Sequence, residues 1–281
     1  MARIYRVAVV SDLHCGSIFG LLPPGFMRSD GGEATLNAGQ QYLHECWQHA
    51  VKTIQATQPD AVVVNGDVID GLQHAQRGTE LSLPLLFDQR GAAIELLKPL
   101  AKLAPIYFVQ GTEYHDCKAG ASCESVAEDL HAVRYPGPGT GKFSKEVLDL
   151  EIDGTIINFA HGISVASGFY RATPVDREGV WSALSGKEGK VPRADCVVRS
   201  HAHYYVRVEH ESKHILITPC WQLQTRYMRK HSVYRMQPSI GCVLLTVSPG
   251  EKRAGGDPIH VEKRLYPLPK LPTAKLAAAA R

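Results

Sequence analysis

The sequence predicts an α/β protein in which two β-sheets pack as a sandwich and helices flank them. Three observations support this prediction. Two long segments near the N-terminus have helical spacing, and closely spaced strand candidates follow residue 146. Five short apolar runs rich in β-branched residues have the length and composition of buried strands, at residues 7–10, 61–64, 106–109, 156–160 and 196–198.

The first half of the chain has the order β-α-β-α-β. The apolar runs at 7–10, 61–64 and 106–109 are separated by segments with helical spacing at 36–58 and 85–103. Strands that are joined through a helix run parallel, with a right-handed crossover. We therefore expect a largely parallel sheet from this half.

The second half predicts another sheet, mixed or antiparallel, that packs on the first. Its further strand candidates are residues 147–152, 206–209, 214–218 and 241–247. Long loops are expected at 15–35, 137–141 and 166–193, where proline, glycine and polar residues are frequent. We expect one domain over residues 1–266 and a flexible C-terminal tail over 267–281.

Composition narrows the class of protein. The net charge of +3, from 31 basic and 28 acidic residues, is too small to mark the whole chain as a nucleic-acid binder. The seven cysteines form no CxxC pair and have an odd total, unlike a secreted disulfide framework, so we expect a cytoplasmic location. We expect no membrane partner, since no segment reaches the roughly 18 apolar residues needed to span a bilayer. The sequence specifies no oligomeric state.

Each of the five apolar runs is followed at once by side chains that bind metals. In an open α/β sheet, ligands bind at the carboxyl ends of the strands, so these side chains are expected to meet at one edge of the fold. Imidazoles mixed with carboxylates suit manganese, iron, zinc or cobalt. Two such ions bound close together need a carboxylate that contacts both, and we assign this bridging role to Asp67. The candidate residues are Asp12, His14, Asp67, Glu113, His115, His161, His201 and His203.

These motifs resemble those of the calcineurin-like metallophosphoesterase family. The resemblance spans residues 7 to about 205 and implies a four-layer αββα fold with two divalent ions, manganese being the expected metal. It implies a first metal site of Asp12, His14, Asp67 and His203. The second would use Asp67, His161, His201 and one residue of the third motif. The motifs read Asp12-Leu13-His14, Gly66-Asp67, Gly111-Thr112-Glu113-Tyr114-His115, His161-Gly162 and Ser200-His201-Ala202-His203.

The third motif departs from the family pattern, in which an asparagine and a histidine are adjacent. Here Thr112, Glu113 and Tyr114 separate Gly111 from His115. Either Glu113 or Thr112 replaces the asparagine ligand, and Glu113 is favoured because a carboxylate binds a divalent ion better than a hydroxyl does.

The resemblance implies a phosphoesterase that hydrolyses a phosphodiester or phosphomonoester by attack of a metal-bound hydroxide. His115 would protonate the leaving group, since a histidine that titrates near pH 6.5 suits that role. A nuclease with the same site is one alternative, because segment 221–235 combines aromatic and basic residues, and there we assign Arg226 and Arg229 to substrate binding. A non-catalytic scaffold with this fold is another alternative.

Overall fold

The computed structural model of the chain describes residues 3–135, 141–163, 170–211, 213–232 and 237–270. It contains β-strands, α-helices and one short 3-10 helix (Lys118–Gly120). In chain order the strands and α-helices are β1 (Tyr5–Val10), α1 (Ala38–Thr57), β2 (Ala61–Asn65), α2 (Leu86–Ala101), β3 (Ile106–Val109), α3 (Ala121–Asp129), β4 (Ser144–Lys145), β5 (Val147–Ile152), β6 (Thr155–Ala160), α4 (Thr173–Lys187), β7 (Cys196–Arg199), β8 (Val206–His210), β9 (Lys213–Ile217), α5 (Arg226–Ser232), β10 (Ile240–Val247), α6 (Pro249–Arg253) and β11 (Ile259–Tyr266).

The first sheet has six strands in the order β11-β10-β1-β2-β3-β4. Strands β1 to β4 are mutually parallel, and α1 and α2 connect the first three. The β-α-β-α-β prediction is therefore confirmed. At the other side of β1, strands β10 and β11 extend the sheet with antiparallel pairing.

The second sheet has five strands in the order β5-β6-β7-β9-β8. Strands β6, β7 and β9 are parallel, and β5 and β8 pair antiparallel at the two edges, so the sheet is mixed, as predicted. One strand was assigned to the wrong sheet. Residues 241–247 belong to β10 of the first sheet, where nearly every β10 side chain is buried because apolar layers cover both faces.

The sheets and helices form four layers around three apolar clusters. In β1, Ala8 and Val10 face the cluster under α1, α2 and α3, whereas Val7 and Val9 face the cluster between the two sheets. This alternation follows from the two-residue period of a strand. A third cluster packs α4 on the outer face of the second sheet, through Val175. The α/β two-sheet sandwich with flanking helices, in αββα order, is confirmed.

The three predicted loops have different outcomes in the structure. Residues 15–35 contain no helix or multi-residue strand, as expected. Residues 166–193 were wrongly predicted as a loop, because α4 occupies most of that stretch. Glycines weaken the helical pattern of this stretch. Packing explains the glycine at position 179, because a Cβ atom there would lie 2.7 Å from Ile215 of β9. In the third predicted loop, residues 137–140 lie outside the described residues.

The C-terminal end is described only to residue 270. Leu268 packs against the apolar cluster under α1, and the Tyr42 hydroxyl donates a hydrogen bond to the carbonyl of Pro267. Residues 271–281 lie outside the described residues, so the boundary between domain and tail stays a prediction. Within the described ranges, no helix combines the length and hydropathy that a membrane crossing needs.

Candidate metal centre

The loops that follow the parallel strands run side by side and carry most of the predicted ligands. The Asp12 amide donates to the Gly66 carbonyl at 2.9 Å, and the His14 amide donates to the Asp67 carbonyl at 3.1 Å. In the second sheet the Ser200 amide donates to the His161 carbonyl at 3.0 Å. Backbone pairing therefore continues past the strand ends and fixes which side chains become neighbours.

Five of the predicted ligands have left-handed backbone conformations, which are uncommon outside glycine. Their φ angles are 53° for Asp12, 47° for His14, 48° for Asp67, 68° for His201 and 59° for His203. Each such residue costs on the order of 1–3 kcal/mol and persists only where the surrounding structure enforces it. These five are among twelve non-glycine residues with positive φ in the described part of the chain.

Two glycines permit the close approach of these loops. Gly66 has a φ of 86°, and a Cβ atom there would lie 2.3 Å from Nδ1 of His161. A Cβ atom on Gly111 would lie 2.2 Å from the Asp67 amide nitrogen. Side chains at either position would push the loops apart.

The structure gathers seven predicted residues into three overlapping groups whose ligand atoms lie within 4.8 Å of one another. Asp67 links two of these groups: its Oδ2 lies 3.0 Å from Nε2 of His161 and 4.0 Å from Nε2 of His14. In the remaining group, His203 Nε2 lies 3.3 Å from Asp12 Oδ1. The groups are Asp12, His14 and His203; Asp67, His161 and His201; and His14, Asp67 and His115.

Several buried atoms in these groups have no hydrogen-bond partner among the described residues. Buried polar groups in proteins are normally paired, and an unpaired one is costly. Bound cations would satisfy these atoms, and the mixed nitrogen and oxygen donor set suits manganese, iron, zinc or cobalt. The residues present therefore fit a divalent metal centre. The unpaired atoms are both carboxylate oxygens of Asp12, Oδ2 of Asp67, Nε2 of His161, Nδ1 of His201 and Nδ1 of His203.

Hydrogen bonds donated by Nδ1 orient three of the imidazoles. His161 donates from Nδ1 to the Asn65 carbonyl at 2.8 Å, and His115 donates from Nδ1 to the Asp70 carbonyl at 2.9 Å. His14 donates from Nδ1 to Oδ1 of Asp70 at 2.9 Å. Since a carbonyl or carboxylate oxygen accepts, the proton of the neutral ring lies on Nδ1 and Nε2 is left for the centre.

The buried charges compensate one another. Burial alone would raise the pKa of Asp67, but the positive charges of His161 and His115 outweigh it and hold that pKa well below its ordinary value. Burial alone would lower the pKa of His161, but the negative charges of Asp67 and Asp12 raise it to about 10. The opposite charges of the imidazole and the carboxylates therefore offset the effect of burial on both partners.

Asp70, which from the sequence is expected only to stabilise the turn after Asp67, orients two of the site's histidines. Its carboxylate accepts from His14, from Gln73 and, at 3.1 Å, from Nε2 of Gln222. Its carbonyl accepts from His115. Asp70 therefore holds a candidate ligand and the candidate proton donor at once. The partners His14 and Gln222 are 56 and 152 positions away along the chain, so no local pattern predicts the contacts.

In the altered third motif, Thr112 supports Asp67 and belongs to none of the three groups, whereas His115 belongs to one of them. The amide and hydroxyl of Thr112 donate to Oδ1 of Asp67 at 2.7 and 3.0 Å. The Thr112 carbonyl accepts from the His115 amide at 3.1 Å, so Glu113 and Tyr114 form a turn that returns His115 to the centre. Glu113 is exposed and belongs to none of the three groups. Its assignment as a ligand stays a prediction that these contacts do not support.

Arg226 and Arg229 of segment 221–235 lie beside the centre rather than over it. A cavity of about 660 Å³ opens above Asp67, His115, His201 and His203, and α5 forms part of its wall. Arg226 and Arg229 are not among the residues that line this cavity. Arg226 lies 3.7 Å from Glu80, and the guanidinium of Arg229 lies 5.8 Å from the ring of Phe19. Their role in substrate binding stays a prediction, and residues 233–235 lie outside the described residues.

The chain is similar in structure to several solved proteins. A solved structure of Vps29 from Entamoeba histolytica complexed with zinc is 15% identical, with 92% of this chain and 98% of that chain covered and a TM-score of 0.41. An archaeal phosphodiesterase is 10% identical, with 93% and 99% covered and a TM-score of 0.45. A hypothetical protein from Pyrococcus horikoshii is 9% identical, with 94% and 89% covered and a TM-score of 0.46.

No curated protein sequence matches the chain. The model of the calcineurin-like phosphoesterase family matches residues 5–218, a stretch that includes every strand-end motif described above. Because this match covers well over half of the sequence, the chain belongs to the calcineurin-like phosphoesterase family.

Proposed function

We propose that the protein is a hydrolase that cleaves a phosphomonoester or phosphodiester at a dinuclear metal site. The observation that carries this proposal is the position of Asp67, whose unpaired Oδ2 lies between two groups of buried ligand atoms. Asp12, His14 and His203 would hold one cation, His161 and His201 the other, and Asp67 would be shared. We propose manganese as the metal, with iron, zinc or cobalt as alternatives.

Divalent cations bound there would neutralise the phosphate oxygens and lower the pKa of bound water towards neutrality. The protein's own part is orientation and proton transfer. His115 lies with His14 and Asp67 in one group, and its Nδ1 donates to the Asp70 carbonyl. In the doubly protonated ring, Nε2 would therefore carry the second proton and give it to the leaving oxygen. Thr112 keeps Oδ1 of Asp67 occupied and leaves Oδ2 available.

The other hypotheses remain distinguishable. The nuclease hypothesis depends on Arg226 and Arg229, which lie outside the lining of the cavity. The scaffold hypothesis predicts a centre that neither takes up metal nor hydrolyses esters. A reducing compartment such as the cytoplasm is proposed as the location, because all seven cysteines are unpaired.

The proposal is tested by stripping the purified protein with a chelator, adding manganese, and assaying an aryl phosphate monoester and diester. We expect hydrolysis by the wild type, a loss of about 10²–10⁴-fold in kcat for His115→Ala, and loss of metal uptake and activity for Asp67→Asn. The exposed His260 of β11 provides a matched control, and His260→Ala should behave as the wild type. Full activity in both site variants would contradict the proposal.

A further inference from the structure

The cavity above the centre has the size of a small-molecule site. Its volume of about 660 Å³ lies within the range of about 300–1,000 Å³ that is typical of ligand pockets. Asp67, His115, His201 and His203 form the part nearest the centre. A phosphate at that end would leave the remaining volume for the organic group of a substrate.

Aromatic and apolar side chains form much of the wall. Tyr114 is 38% exposed and donates from its hydroxyl to Gln76, which fixes the orientation of the ring. Tyr227 is 55% exposed, and its ring centroid lies 4.3 Å from that of His231. Tyr204 is buried, and the guanidinium of Arg171 covers its ring at 4.6 Å, so Tyr114 and Tyr227 supply the exposed aromatic surface. Exposed aromatic faces around a cavity are suited to stacking against a flat ring.

The polar groups of the wall are mostly neutral. Four glutamines line the cavity, together with the hydroxyl-bearing Thr225. Side-chain amides both donate and accept, so they match the hydrogen-bonding edge of a heterocyclic ring. Gln73 and Gln222 donate to Asp70, and Gln76 accepts from the Tyr114 hydroxyl, so these contacts orient the amides. The glutamines are Gln73, Gln76, Gln222 and Gln237.

The charge of the wall does not suit a polymer. Arg171 is the one lysine or arginine among the described residues that line the cavity, and Glu80 adds a negative charge. Single-stranded nucleic acid requires a positive groove that follows many phosphates. On α5, Tyr227 and Met228 face the cavity, whereas Arg226, Arg229 and Lys230 do not line it.

We propose that the substrate is a small phosphoester whose organic group is a flat, uncharged ring, of the nucleoside or aryl class. This inference rests on the proposed phosphoesterase function. The ring stacks on the exposed aromatic side chains of Tyr114 and Tyr227 while the phosphate lies over the metal centre. Tyr227 is a specificity-determining residue, because its exposed ring lies on a surface helix that forms the cavity wall.

The experiment compares substrates that share leaving-group chemistry and differ in the ring. One pair is adenosine monophosphate and glycerol phosphate; the other is a cyclic adenosine phosphate and a cyclic glycerol phosphate. For the pair that the manganese-loaded enzyme hydrolyses, kcat/KM should be at least about 10-fold higher for the ester with the ring, since stacking on one aromatic side chain is worth about 1–3 kcal/mol per base.

Variants separate stacking from general effects. Tyr227→Ala should lower the preference for the ring ester about 10-fold, whereas Tyr227→Phe, which keeps the aromatic face, should retain it. Phe87 of α2 is a matched control, because it is an exposed aromatic residue (67%) that does not line the cavity. Phe87→Ala should leave both substrates unaffected.

Equal kcat/KM values within the hydrolysed pair, with no effect of Tyr227→Ala, would overturn the inference and leave the proposed function standing. A single-stranded oligonucleotide hydrolysed faster than either monomer would also overturn it. If no ester is hydrolysed, the proposed function is wrong, and the preference for a ring is then tested by measuring binding with calorimetry. Adenosine monophosphate that binds the manganese-loaded protein at least about tenfold more tightly than glycerol phosphate supports it, and equal affinities reject it.

Discussion

Four residues of the centre, Asp12, Asp67, His201 and His203, combine a left-handed backbone with a buried side-chain atom that is unpaired within the described chain. Asp12 shows the combination most clearly, since it has a positive φ, is fully buried and has two carboxylate oxygens without hydrogen-bond partners among the described residues. Such a residue weakens the fold unless something else compensates. A bound cation is the compensation that the donor set predicts.

The exposed position of Glu113 leads to a prediction about metal content. Because Thr112 supports Asp67 and Glu113 is exposed and belongs to none of the three ligand groups, Glu113→Gln should retain the metal content of the wild type. His161→Gln is the comparison variant and should lose about one ion per chain. Elemental analysis after dialysis against manganese measures both. Loss of one ion in Glu113→Gln would show instead that this carboxylate ligates.

The protonation of His161 predicts how stability depends on pH in the metal-free protein. The pKa of His161 is about 10 in the folded protein, above its ordinary 6.5, so the proton stabilises the fold fully below pH 6.5. That contribution is lost as the pH rises through 10, at up to about 1.4 kcal/mol per pH unit. Urea unfolding of chelator-treated protein between pH 7 and 10 measures it. The decline should be smaller in His161→Gln, and identical profiles would contradict the assignment.

Among the elements, a buried polar network joins the two sheets beneath the centre. The Ser200 hydroxyl, which follows β7, accepts from Nδ2 of Asn65 at 2.6 Å and lies 2.8 Å from the hydroxyl of Thr218. Thr218 in turn lies 2.7 Å from the hydroxyl of Ser11, which follows β1. Ser200 therefore connects the ends of β2 and β9.

Removal of this hydroxyl should destabilise the protein. Ser200→Ala leaves buried polar partners less well satisfied, which costs about 1–3 kcal/mol. The free energy of unfolding in urea is the measurement. Ser29, which is exposed in the loop after β1, provides the control, and Ser29→Ala should change stability by less than about 0.5 kcal/mol. Equal stability of Ser200→Ala and the wild type would show that the network does not hold the sheets together.

The sequence predicted the elements best where one strong local pattern determined them. The five apolar runs became β1, β2, β3, β6 and β7, because buried parallel strands need continuous apolar residues. Helix α4 was missed because its glycines hide a pattern that packing against β9 explains. Which face of α5 lines the cavity depends on the position of the helix as well as on its sequence. The sequence therefore could not predict whether Arg226 and Arg229 line the cavity.

Across the whole molecule, the centre lies where the two sheets meet. The first sheet supplies Asp12, His14 and Asp67, and the second supplies His161, His201 and His203. Ligands of an open α/β sheet bind at the carboxyl ends of its strands, and this expectation predicted from the sequence that the six residues would be neighbours. It applies here because both sheets contain parallel strands that end at the same edge. The orienting contacts of Asp70 and the shape of the cavity depend on three-dimensional packing and lay beyond the sequence.

The most direct measurement of the central claim is anomalous X-ray diffraction from crystals of the protein loaded with manganese. The account predicts two peaks about 3.5–4 Å apart, one on each side of Oδ2 of Asp67. One peak should adjoin Asp12, His14 and His203, and the other His161 and His201. A crystal that binds manganese elsewhere, or in which neither peak touches Asp67, would contradict it.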